Sequence, residues 1–304
     1  MTRLSLSFAC APVLLLWLGC TSSSAPDEGA AGDASGATAG TSGSGNKSGS
    51  GGTPSTNQRC PKGTNPKGPP ESLPLGVVSA QIVDEQGEPT SSGLVQVCGR
   101  DKCINADVAD DGVLIKPVNQ DLDTPACKFG DGFTWAKLAI PLGKGDTNLG
   151  TLTTVRLPDY ADGLPFTPGE SISSGGVTLT LDASAHVDID ELDYETEAEQ
   201  GFRAVQLPSD ALTQLGQDFV AGFALAPLET RICPSPAISL ENSSKLEPGT
   251  AVELYMLGLD AGEAWVAYGQ WQKVSDGTVS DDGATLDFAE GPPLLTALGI
   301  KVKG

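Results

Sequence analysis

The sequence predicts an all-β protein: two tandem β-sandwich domains behind a leader and a long tether. Three observations lead there. Apolar and polar residues alternate at period two where Val177, Leu179 and Leu181 bracket Thr178 and Thr180, and again at Val252, Leu254 and Met256. Glycine (38) and proline (22) break the 304 residues too often for long helices. Only residues 209–216 read as helix, with a polar start at Ser209, an apolar i, i+3 pair at Leu212 and Leu215, and Gly216 to end it.

The chain begins with Arg3 as its short basic flank, then an apolar run over residues 4–18 centred on Leu14, Leu15 and Leu16. A run this short is a targeting segment rather than a membrane span. Leu18, Gly19 and Cys20 then resemble the lipobox of bacterial lipoproteins, with Trp17 where that family places Leu, Val or Ile. The resemblance implies a signal peptide over residues 1–19 and a lipid on Cys20. It also implies an outer-membrane destination, because Thr21 stands where an aspartate marks inner-membrane retention. Which face of that membrane the protein occupies is left open. The competing reading is an ordinary secretory signal cut near Ala25.

Residues 20–59 are rich in Gly, Ser, Ala and Thr and contain no aromatic residue after the lipidation site. Such a segment cannot bury enough surface to offset the entropy of ordering, so it is expected to be a disordered tether. Its r.m.s. span would be roughly 30–40 Å. The remaining chain is expected to divide into one sandwich over 60–145 and a second over 146–304.

A formal net charge of −21 argues against nucleic acid as a partner. Of seven cysteines, Cys10 leaves with the signal and Cys20 takes the lipid. Cys60, Cys98, Cys103, Cys127 and Cys233 remain, and an exporting cell would oxidise them, with one left over. Cys98 and Cys103 flank a four-residue loop, Gly99-Arg100-Asp101-Lys102, so they are expected to bond across a hairpin stem. Zinc is the weaker alternative, because His186 is the single histidine and no second close cysteine pair exists.

In order, residues 77–83 read as a strand, the Asp84-to-Pro89 cluster as a turn, residues 93–98 as a second strand, and Asp110-Asp111-Gly112 as the turn into Val113-Leu114-Ile115. This succession resembles the carboxypeptidase regulatory-like, transthyretin-type sandwich over about residues 76–117, with Val113 replacing the usual aromatic. The resemblance implies a structural spacer and no reaction. A later stretch, about 172–290, is similar to the sandwich of ankyrins, zonula occludens proteins and netrin receptors. Its carrying residues are 175–181, 234–240, 246–255 and 277–283, with Asp182-Ala183-Ser184 in place of the family's turn. That resemblance implies protein contacts without shared catalytic residues.

Two clusters carry candidate chemistry. His186, Asp188 and Asp190 fall at alternate positions and would share one face of a strand; they could hold a divalent cation, or be a solvated edge, which is the reading adopted. Tyr255, Trp265, Tyr268 and Trp271 crowd one region of an aromatic-poor chain. Exposed, they would stack on sugar rings; buried, they are core, and a turn at Gly269 would separate the two tryptophans. No G-x-S-x-G elbow is present, and nothing selects a carboxylate pair among 39 acidic residues. The sequence therefore predicts no catalytic residue, no cofactor and no enzyme. It predicts a lipid-anchored binding or structural module of the cell envelope, contacting an envelope protein or polysaccharide. A carbohydrate-binding protein using the C-terminal aromatics is the alternative, and a hydrolase without a recognisable motif the second.

Overall fold

The computed structural model describes residues 71–100, 102–190, 192–259 and 265–304. The signal peptide, Cys20, the tether and Cys60 lie outside the described residues. The described part belongs to one compact unit and is almost entirely strand.

The earlier region holds β1 (Ser72–Val83), β2 (Val95–Cys98), β3 (Cys103–Ala106), β4 (Val113–Asp123), β5 (Ala126–Phe129), β6 (Leu138–Pro141) and β7 (Gly145–Thr153). They form two small sheets, ordered β4-β1-β7 and β3-β2-β5-β6. β1 runs antiparallel to β4 and parallel to β7. Its register breaks between Leu75 and Val77, where Asp146 Oδ1 accepts a hydrogen bond from Val77 N at 2.8 Å. Gly76 makes room for that carboxylate, since a β-carbon there would lie 1.9 Å from Asp146 Oδ1. The 145/146 division falls at the start of β7, whose partner is β1, so the first sheet continues to Thr153.

The later region contributes β8 (Ser171–Ser174), β9 (Val177–Thr180), β10 (His186–Asp188), β11 (Arg203–Gln206), α1 (Ser209–Gln214), β12 (Ala221–Ala226), β13 (Arg231–Cys233), β14 (Ala237–Glu241), β15 (Ala251–Leu257), β16 (Trp271–Val279), β17 (Thr285–Phe288) and β18 (Ala297–Val302). Nine of these form one sheet, β11-β12-β18-β15-β16-β17-β14-β9-β8, while β10 pairs with β13. The ends of the large sheet meet: Ala204 N on β11 donates to Ser174 Oγ on β8 at 3.0 Å. Gly175 follows with φ +51°, and a β-carbon on it would strike the Ala204 carbonyl oxygen at 2.0 Å. Closure of this kind removes much of the free edge that an open sheet exposes.

Two hydrophobic cores result, and they share strands. The first gathers Val78, Ile82, Val97, Leu114, Phe129, Leu138 and Leu152, together with Leu207, Leu257 and Ala297 of the later region. The second gathers Leu179, Phe223, Ile238, Leu240, Leu254, Phe288 and Ile300. β12 is buried along its whole length, with Ala224 and Ala226 in the first core and Phe223 and Leu225 in the second. Its near-continuous apolar run is what a strand covered on both faces requires.

α1 covers a remaining edge. Gln214 Oε1 accepts from Thr153 N at 2.6 Å, and its Nε2 donates to Thr153 O at 3.1 Å, so a side-chain amide stands in for a strand beside β7. The regions are also joined by Arg203, whose Nη1 donates to the carbonyls of Phe133 and Pro158 at 2.9 Å each.

Cys98 and Cys103 form the disulfide expected of them, closing the β2–β3 hairpin with their α-carbons 4.0 Å apart. Cys233 is disulfide-bonded as well. Cys127 is a free thiol buried in β5, and burial pushes its pKa up to about 12. Among the described residues no helix is long and apolar enough to cross a membrane.

Candidate binding cleft

The four aromatic residues singled out above go to three places. Tyr268 is core, 3 % exposed in the first cluster, with Lys128 Nζ 4.8 Å from its ring centroid. Tyr255 and Trp271 lie on neighbouring strands and flank Phe219, their ring centroids 5.9 and 4.7 Å from its own. The far edge of the Phe219 ring rests on Gly299 of β18, where any β-carbon would meet it at 2.5 Å. Lys301 Nζ is 5.3 Å from both the Phe219 and Tyr255 centroids. The Tyr255 hydroxyl donates to Glu253 Oε2 at 2.9 Å, a bond that holds its pKa above the usual tyrosine value, with desolvation adding to it. Phe219 carries no sequence signal of this role, because the role depends on the pairing of β18 with β15.

Trp265 stands apart, on the connection between β15 and β16. The Gly269 turn, at φ +67°, separates it from Trp271. Half-buried, it lines a cleft of about 270 Å³ whose floor is Met256, Val266, Val274 and Pro293. Ser235, Gln272, Lys273 and Glu290 supply the polar lining. The walls are pinned: Ser275 Oγ donates to the Glu290 carbonyl at 2.5 Å, and Gly291 N donates to Pro236 O at 2.7 Å. Lys273 Nζ donates to Asp276 Oδ1 and Glu253 Oε1 at 2.8 Å each. These bonds hold its pKa above the ordinary lysine value, so it remains cationic at neutral pH.

The structure does not gather His186, Asp188 and Asp190 into a ligand set. β10 ends at Asp188, so the alternation that would keep Asp190 on the same face stops there. His186 is exposed. Asp188 lies 3.7 Å from Arg231 Nη1, and Arg231 in turn packs over the Trp265 ring with its Cζ 5.9 Å from the centroid. Asp190 caps a turn, its Oδ1 accepting from Leu192 N at 3.0 Å. No group of three His, Cys, Asp or Glu side chains among the described residues is placed to hold a metal ion. Two separate sequence candidates, Asp188 and Trp265, are thus linked through Arg231. Sequence reasoning passed over that residue, and only the β10–β13 register reveals it.

The fold defines an all-β protein whose sheets pack around two shared cores, with a cleft beside Trp265 on the large sheet. No family model matches the chain, and no curated protein matches it. Solved structures resemble it at a distance. The TIE protein of Bacillus anthracis is 11 % identical, with 76 % of this chain and 49 % of that one covered and a TM-score of 0.22. The chain thus spans about half the length of that protein. A proposed carbohydrate-binding protein of Bacteroides uniformis is 10 % identical over 76 % of this chain and 80 % of its own, with a TM-score of 0.21. A DUF3823 family protein of Parabacteroides merdae is 11 % identical over 73 % and 98 %, with a TM-score of 0.20.

Proposed function

We propose that this protein is a non-catalytic binding module of the bacterial envelope, exported and anchored through a lipid on Cys20, and that its ligand is a small saccharide bound in the Trp265 cleft. The observation that carries the reading is the composition of that cleft. An indole ring, partly exposed above an apolar floor, sits beside a hydroxyl (Ser235), an amide (Gln272) and a carboxylate (Glu290). A sugar ring has an apolar face to lay on an indole and a rim of hydroxyls that need both donors and acceptors. The transthyretin-type and netrin-receptor-type resemblances belong to this proposal as descriptions of a scaffold without its own chemistry.

The test is a glycan array probed with the full-length chain in detergent, followed by calorimetric titration of any hit against wild type, Trp265→Ala and Trp271→Ala. Loss of binding in Trp265→Ala alone supports the cleft. Equal binding by Trp265→Ala and wild type removes it, and loss only in Trp271→Ala moves the site to the Phe219 cluster. Anchoring is tested separately: Cys20→Ala should abolish palmitate labelling and release the chain from the membrane fraction. Persistent labelling would overturn that part.

A further inference from the structure

We propose that the guanidinium of Arg203 holds a small monovalent anion, best a carboxylate, in a closed site beneath the ring of Tyr160. Arg203 is 1 % exposed, among the largest fully buried side chains of the molecule. Its Nη1 is committed to the Phe133 and Pro158 carbonyls, whereas Nε and Nη2 are buried with no hydrogen-bond partner. Those two nitrogens share the side-on edge of the guanidinium, where their N–H bonds run parallel. That edge is the one that matches the two oxygens of a carboxylate. A buried cation is ordinarily paired, and a buried donor ordinarily bonded.

Arg203 forms no ion pair with a carboxylate among the described residues, although the charge of Glu199 acts on it from a distance and the Tyr160 side chain engages it. Asp131, whose charge reaches it, spends Oδ1 on the backbone N–H groups of Phe133, Thr134 and Trp135 at 2.8, 2.8 and 2.9 Å. Tyr194, packed against Phe133 with ring centroids 5.2 Å apart, has its hydroxyl occupied as acceptor for Leu228 N at 2.7 Å. These contacts leave Nε and Nη2 buried without a hydrogen-bond partner. Tyr160 supplies the cover. Its ring centroid is 4.3 Å from Arg203 Cζ, and it opens a short 3-10 turn, Tyr160–Asp162, that has no buried residue. Entry of an ion would require this half-exposed ring to move aside, since Nε and Nη2 are buried with the ring in place. The burial of Arg203 limits the ion to formate, acetate or chloride size, which separates this site from the saccharide cleft.

The experiment melts the full-length chain in sodium sulfate, with formate or chloride substituted at constant ionic strength, for wild type and Arg203→Lys. Lysine keeps the charge and loses the fork. Formate should raise the wild-type midpoint by several degrees, chloride by less, and neither should move Arg203→Lys beyond the general salt effect. Identical responses in the two proteins would overturn the proposal. Should Arg203→Lys fail to fold, wild-type crystals grown in bromide decide: anomalous density on the Nε–Nη2 edge supports the site, and water or nothing there refutes it.

Discussion

The core of the two small sheets takes Leu207, Leu215, Leu257, Leu259, Tyr268 and Ala297 from the later part of the chain, whereas the core of the nine-stranded sheet is drawn from residues 172–300 alone. The earlier region has strands of only four residues at β2, β3, β5 and β6, and too little apolar surface to bury by itself. It is completed by the back of the larger sheet. The difference teaches that the regions are not equivalent beads: one is a foundation and the other is built on it.

The strongest way to break this comparison is Leu257→Ala. Leu257 belongs to β15 by sequence and to the first core by packing, fully buried. We expect a loss of about 2–5 kcal/mol and a single cooperative denaturant transition that shifts as a whole. Two separated transitions would mean that the earlier region stands alone. Arg203→Met removes the bonds to the Phe133 and Pro158 carbonyls that tie the regions together. It should cost about 3 kcal/mol, read from urea midpoints, and make residues 131–135 exchange amide hydrogens faster than β14. An unchanged midpoint would show that the tie is ornamental.

A smaller effect separates the regions further. Cys98→Ser with Cys103→Ser opens a short loop, so the expected loss is about 2 kcal/mol. Faster hydrogen exchange should appear at the β2–β3 hairpin and not in the large sheet; a uniform loosening would contradict it. The least effect is on the outer face. Lys273 and then Lys303 hold the Asp276 carboxyl below its usual pKa. A carboxyl depressed in the folded state adds stability above its unfolded pKa, and that stability is lost as pH falls through the folded value. Asp276→Asn should therefore be less stable than wild type at neutral pH, with the gap closing as pH falls below the usual aspartate range. A gap independent of pH would exclude the ion pairs as its cause.

Local pattern made the strands legible. Residues 77–83 fall within β1, the alternation at Val177 and Val252 marks β9 and β15, and the predicted helix appears as α1. The β2–β3 disulfide was readable for the same reason: its two cysteines bracket a loop of hairpin length. Long-range pairing was not. Nothing in residues 145–153 announces that β7 runs parallel to β1, or that β12 is covered on both faces. The candidate metal face failed because period-two reasoning assumes a strand that continues, and β10 stops at Asp188. Trp265 was visible as an aromatic residue, yet its cleft is assembled from residues 235, 256, 265, 272 and 290, which no spacing rule connects.

The free thiol of Cys127 bears on how the chain finds its bonds. In the oxidising compartment proposed for it, the nascent cysteines at 98, 103 and 127 are among those that compete to pair. The native pair is 5 residues apart, and by loop-closure scaling its effective concentration exceeds that of a Cys103–Cys127 encounter roughly tenfold. Proximity along the chain thus favours the native bond before any sheet has formed. Burial of Cys127 between β2 and β6 then withdraws the loser from exchange, since a thiol kept protonated cannot attack a disulfide. The order of events, local ring closure first and concealment second, would let this hairpin form correctly without an isomerase.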